Sequence, residues 1–330
     1  MIQINKAVLH LFDYSHGQLV LSEMEMDADA ISELHFTGKQ IDKLLASPSL
    51  KKGEFAAYSK FQEWLKQYAD EEVSLLDLSK YLAKTWYEII KESDKIDTSA
   101  MLLCDVYDNA NHLLVALKYK NKSGYQHTTN ITEGKLLNKV MENASILPGA
   151  SASVDEVIVM HLETMEIRFK DIKRIIQGDT CYVIPERILH ASQELSCKEV
   201  LQTLTHLGSE MSETYELDPI LIEAKTKEYM QQQLEDDGYL HTEDLARFVF
   251  DHEEMAKEYL DEAKKLQVPD LMRLHNKFTN SKSKSQKIKT DHGIELNLPA
   301  AYYHDPEYFE IIQNEDETFQ IVLKNIKQIR

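Results

Sequence analysis

Cysteine is scarce: the 330-residue chain carries three, Cys104, Cys181 and Cys197, with no CxxC pair and an odd total. That count excludes a disulfide framework and a zinc ribbon, and it reads as reduced thiols in a cytosolic protein. Glycine is also sparse, at ten residues, and nothing matches GxxxxGK[ST] or GxGxxG, so the chain has no phosphate-cradling loop. HExxH and GxSxG are absent. No apolar run approaches the roughly 18 residues that cross a bilayer, and the first residues lack the basic and apolar regions of a signal peptide. Membrane partners and ATP-driven chemistry are therefore not expected, no cofactor or metal is implied, and the expected reading is not an enzyme.

What is abundant is negative charge, a net of −19. It is unevenly spread. Residues 209–266 hold 17 Asp and Glu against 6 Lys and Arg, whereas residues 273–290 hold Arg273, Lys277, Lys282, Lys284, Lys287 and Lys289 with no acid at all. A phosphate backbone is repelled by the first stretch and attracted by the second.

The hydrophobic pattern divides the chain into an α+β N-terminal domain, 1–176, and a helical C-terminal domain, 177–330, closed by strands and containing the basic loop 273–290. In the first, strands are expected over 3–12 and 18–24, helices over 29–46, 54–69 and 75–91, and a hairpin over 100–107 and 113–120. Leu75, Leu78, Leu82, Trp86 and Ile89 form one helical stripe behind a Ser74 cap. Strands over 125–131 and 156–170 follow, with a helix near 133–142. In the second, Ser196 with Glu199 makes a capping box, Asp218-Pro219 starts a helix over 220–234, and further helices span 242–250 and 253–266. Strands over 293–298, 308–312 and 319–323 end the chain around a turn at Asn314-Glu315-Asp316-Glu317. The fold class is α+β: an N-terminal antiparallel or mixed sheet with packed helices, then a mainly helical region and a small C-terminal β element.

Alternation along 113–122 puts Lys118, Lys120 and Lys122 opposite the apolar residues, and along 165–170 it turns Arg168 and Lys170 outward, with Lys173 and Arg174 just beyond. If those strands are neighbours they share one basic surface. The alternative is ordinary solvation of a sheet's outer face. For 273–290 the alternatives are a nucleic-acid contact, with Phe278 as core anchor or stacking platform, and a solvated linker masked by the acidic helices. Gln233–Asp244 imitates a calcium loop around Gly238, but Gln233 replaces the first Asp and Asp244 the last Glu. A helix-ending Gly238 followed by a Thr242 cap accounts for it equally. His161 and Glu163 share one side of a strand without a converging constellation.

The stretches IQINKAVLHLFD with LVLSE, VDEVIVMHLETMEIRFKDIK and KIKTDHGIELNLPAAYYHDPEYFEIIQNEDETFQIVLKNI, taken in this order, resemble the bacterial 37-kDa nucleoid-associated proteins over nearly the full length. The resemblance implies a bacterial protein of the cytoplasm and nucleoid that binds nucleic acid without catalysis and takes part in chromosome organisation; it transfers no site residues. The expected function is DNA binding with weak sequence preference through phosphate contacts, with RNA as a second nucleic-acid partner and a homodimer as an assembly to test. The competing expectation is an acidic adaptor docking on a DNA-processing enzyme such as a type II topoisomerase.

Overall fold

A computed structural model describes residues 2–132, 134–149, 151–303, 305–314 and 318–328. The chain forms two compact units, 1–194 and 195–330. The first contains β1 (Ile2–Asp13), β2 (Gln18–Val20), α1 (Ala28–Ser32), α2 (His35–Leu45), β3 (Lys51–Gly53), α3 (Lys60–Ala69) and α4 (Leu75–Lys91). It continues through β4 (Ser99–Asp108), β5 (Asn111–Lys120), β6 (Lys122–Thr132), β7 (Lys135–Ile146), β8 (Glu156–His161), β9 (Ile167–Lys170), β10 (Lys173–Ile176), β11 (Asp179–Tyr182) and a π-helix at Ile184–Leu189.

Seven strands pair antiparallel in the order β2-β1-β4-β5-β8-β9-β3. Both faces of this sheet are covered. On one, Met101, Leu103, Leu114, Ala116, Ile158 and Met160 pack against Leu65 of α3 and the Leu75, Leu78, Leu82 and Trp86 stripe of α4. On the other, Leu102, Cys104, Leu113, Val115, Leu117 and Val159 meet Ile41 and Leu44 of α2. Strands with two buried faces read as continuous apolar runs, which is why MLLCDV and LLVAL carry so little alternation. Helix α4 begins where expected because Ser74 accepts the Asp77 backbone N–H.

The first unit ends at Glu194 because the segment after the π-helix returns to the sheet. Ser192 N–H donates to Glu54 O, and Glu194 N–H donates to Lys52 O. That return passes so close to Gly53 that a Cβ there would stand 2.3 Å from Ser192 O, so only glycine fits.

Three expectations fail here. The strand expected over 156–170, as a partner of 125–131, is two strands, β8 and β9, paired antiparallel with each other. Residues 135–146 form strand β7, paired along its length with β6, and not a helix. The helix expected over 29–46 is broken into α1 and α2.

The second unit contains α5 (Cys197–Thr214), α6 (Pro219–Glu235), β12 (Tyr239–His241), α7 (Thr242–Val249), α8 (Glu253–Lys265), β13 (Leu271–Arg273) and α9 (Asn276–Ser283). Then come β14 (Ser285–Lys289), β15 (Glu295–Pro299), a short 3-10 turn, β16 (Phe309–Gln313) and β17 (Phe319–Leu323). Its core joins Leu201, Leu204 and Leu207 to Tyr229, Leu245, Val249 and Tyr259. The capping box at Ser196 and Glu199 is complete, and Asp218 caps α6 through the Ile220 N–H. The expected turn at 314–317 lies outside the described residues beyond Asn314.

A buried ionic cluster ties the first unit's strands together. Lys118 on β5 donates to Glu156 on β8 at 2.6 Å, directly across the ladder, and Arg174 on β10 donates to the same oxygen at 2.9 Å and to Lys95 O. All three side chains are buried. Removing one partner of such a cluster leaves uncompensated charge in the interior, which costs about 3–5 kcal/mol. Glu156→Gln is expected to destabilise the first unit by that amount in urea unfolding followed by emission of Trp64 and Trp86, which both lie in this unit. A loss below about 1 kcal/mol, the value of an exposed pair, would remove the cluster from this role.

Candidate nucleic-acid interface

The condition for one shared basic surface on the first unit, neighbouring strands, is not met. β5 and β9 are separated by β8, so their lysines are not neighbours. Lys118 and Arg174 are committed to Glu156 in the interior; covering the sheet's second face with α4 turned an expected solvated row into a buried one. Lys170 is spent on Asp155 at 2.7 Å, Ser153 and Val154 O. Arg168 lies 3.7 Å from Glu166, and exposed Lys120 pairs with Asp97 at 2.8 Å. Lys173 stands over the Tyr182 ring, 5.6 Å from its centroid. Lys122 is exposed at the start of β6.

The segment 273–290 is not the flexible loop its serines suggest. It is the end of β13, then α9, then β14. The serines hold this structure: Ser281 donates to Phe278 O, and the Ser283 hydroxyl, 2.8 Å from Thr279 O and 3.0 Å from Gln231 Oε1, donates to one of these two oxygens. Alternation along β14 buries Gln286 and Ile288 and turns Lys287 and Lys289 outward, where they meet Glu295 of β15 at 2.7 and 3.9 Å. Arg273, Lys282 and Lys284 are exposed and carry no ion pair among the described residues. The Lys277 side chain lies outside the described residues. The acidic 209–266 helices therefore do not mask these three cations.

Lys282 borders a groove of about 730 Å³ between α5, α6 and α9. Leu201, Ile220, Met230 and Phe278 supply its apolar lining, and Lys198, Lys227 and His206 its basic groups. Lys227 is occupied: it bonds Glu223 at 2.8 Å and Gln286 Oε1 at 2.9 Å. Glu223 is thereby neutralised, which leaves Lys198 and Lys282 as the groove's unpaired charges among the described residues. Phe278 packs against the unit's core while facing the groove, so it is anchor and lining at once. Lys198 and Lys227 were not singled out by sequence, because only the packing of α5, α6 and α9 brings them beside Lys282.

Catalytic alternatives find little geometry. Asp105 accepts from Tyr68 at 2.5 Å and lies 2.9 Å from His112, whose ring stacks on Tyr107, a satisfied network with no nucleophile in it. His161 is held by Asn111 and the Thr164 N–H. In the calcium-like loop Asp237 turns back on the Tyr239 N–H and His241, and Thr242 bonds Pro269 O and does not cap α7. No cluster of metal-ligating side chains occurs among the described residues.

These features define a two-unit α+β protein whose second unit carries exposed cations and a groove bordered by Lys198 and Lys282. The chain matches the family model described as nucleoid-associated protein YejK over residues 8–330, and it belongs to that family. No curated protein matches it significantly.

Desolvation shifts two titratable groups of the first unit in opposite senses of pH dependence. Asp171, beside Arg174 and Glu156, is pushed up from 3.8 to about 7, first by burial and then by Glu156, although the Ile184 and Ile172 N–H groups oppose the shift. His10 accepts the Ser22 N–H at Nδ1, which places its proton on Nε2 toward Ser79; burial first, and Lys80 second, lower it from 6.5 to about 4. Asp171 binds a proton in the native state that the unfolded chain releases, so its contribution is present below pH 3.8 and lost as pH rises through about 7. His10 contributes above pH 6.5 and loses that contribution as pH falls through about 4. Their slopes oppose between pH 4 and 6.5. Asp171→Asn removes one of them, so the variant's stability is expected to rise with pH across this window more steeply than wild type's in urea titrations. Parallel profiles would contradict the assignment.

Proposed function

We propose that this protein binds nucleic acid through its second unit, without catalysis and with weak sequence preference, by contacting phosphates. The observation that carries the reading is the set of exposed cations Arg273, Lys282 and Lys284, free of acidic partners among the described residues, with Lys198 across the groove from Lys282. Membership of a nucleoid-associated family supports it. Lys287 and Lys289 join the set, because exposed ion pairs such as theirs with Glu295 are worth at most about 1 kcal/mol and yield to a phosphate. Duplex DNA is the proposed ligand, with RNA as a competitor to be tested alongside, in the nucleoid of a bacterial cytoplasm.

A charge of −19 restricts how that binding works. Contact is confined to a local face, and the remaining surface repels the polymer, so extensive coating is disfavoured. The exposed acids Glu243, Asp244, Glu253, Glu254 and Asp261 on α7 and α8 favour a second reading, in which this face docks on a basic partner such as a DNA-processing enzyme.

The test is binding to a labelled duplex of arbitrary sequence across a salt series. Each neutralised phosphate contributes about −0.9 to the slope of log K against log salt, so a slope of about −4 is expected. Replacing Lys282, Lys284, Lys287 and Lys289 with Glu should abolish binding to unrelated sequences equally. Absence of binding at low salt would overturn this reading and leave the acidic face as the functional one, and an unchanged slope in the variant would overturn the assignment of the contact to these lysines.

A further inference from the structure

Between β5 and β8 the chain leaves the sheet as a ribbon of two strands, β6 and β7, paired from Lys122↔Ile146 to Thr132↔Lys135. At about 3.3 Å per residue the ribbon is roughly 35 Å long. Most of its described side chains are exposed, on both faces, and among the described residues no other element makes extensive contact with it. An isolated two-stranded hairpin is marginal in water, so a ribbon of this length needs a cover.

Its composition says what kind. The register places Tyr125, His127, Thr129 and Ile131 on the same face as Glu142, Val140, Asn138 and Leu136. Tyr125, Ile131, Leu136 and Val140 are 75–77 % exposed there, an apolar surface that soluble proteins seldom leave open unless it binds. Charge argues against a polyanion as the occupant. Residues 122–146 carry three lysines and two glutamates, a net of +1, while the whole chain carries −19. The ribbon is therefore too weakly basic to grip phosphates, and two acidic chains can meet there without bringing a concentration of like charge together.

We propose that the β6–β7 ribbon pairs with the same ribbon of a second copy of this chain, face to face and antiparallel, about a two-fold axis at the Thr129–Asn138 pair. The face is self-complementary about that point. Leu136 of each ribbon falls on Val140 of the other, and Ile131 falls on His127. Thr129 already donates to Asn138 Oδ1 at 2.8 Å, so the polar centre carries this hydrogen bond into the interface. Burying the four apolar side chains of both ribbons removes on the order of 1,000 Å² from water, the lower bound for a specific interface.

The full chain is tested by sedimentation equilibrium together with the Ile131→Glu/Leu136→Glu/Val140→Glu variant and a charge-neutral Leu137→Thr/Met141→Thr control on the opposite face. Two-chain assembly is expected for wild type and the control and weakened by about 100-fold in the apolar variant, whose secondary structure stays native because none of the three side chains belongs to the first unit's core. With Cys197→Ser as background, Thr129→Cys should link two chains through a short bismaleimide and Thr128→Cys, on the opposite face, should not. A monomeric wild type, equal assembly in the apolar variant, or equal linking at both positions overturns the pairing. So does a monomer whose duplex affinity falls with the apolar substitutions, which would assign the ribbon to nucleic acid. Loss of assembly with duplex affinity retained separates this inference from the proposed function.

Discussion

One carboxylate organises the first unit. Glu156 receives Lys118 from the strand beside it and Arg174 from β10, and Arg174 in turn holds the carbonyl of Lys95 between α4 and β4. Two cations with one buried carboxylate between them, and Asp171 nearby with its pKa raised, form a cluster whose members cannot leave without exposing unpaired charge to a dry interior. Its consequence reaches beyond stability. Lys118 and Arg174, two of the positive charges that look like a binding strip in this half of the chain, are withdrawn from solvent, whereas Arg273, Lys282 and Lys284 of the second unit are exposed and without an ion pair among the described residues.

That withdrawal also marks how far the sequence can be read. Alternation along β5 correctly separates Leu113, Val115, Leu117 and Tyr119 from Lys118, but alternation reports only that two faces differ. It says nothing of whether a second layer covers the polar one, and α3 with α4 covers it here. Local signals whose physics is complete within a few residues were legible: the Ser196–Glu199 box, the Asp218 cap and the Leu75 stripe all depend on neighbours three or four positions away. The exposed cations of 273–290 were legible as charge, though not as α9 and β14, whose order depends on Gln231 and Lys227 of α6.

Strand β7 is the instructive failure. Leu136, Leu137, Val140 and Met141 recur at helical spacing in a segment of helix-forming residues, so one face of a helix is the natural reading. In the ribbon the same four side chains fall on opposite faces, Leu136 and Val140 on one and Leu137 and Met141 on the other, and each remains exposed. Pairing with β6 overrides the helical preference, and the apolar residues that would have faced a core face solvent or a second chain.

The central claim is that the second unit, and not the basic strands of the first, meets nucleic acid. Lysine acetylation footprinting of the free protein and its duplex complex tests it most directly. The account predicts protection of Lys198, Lys282 and Lys284 on binding, unchanged labelling of Lys120 and Lys173, and no labelling of buried Lys118 in either state. Protection of Lys120 and Lys173 with Lys282 and Lys284 still reactive would contradict it.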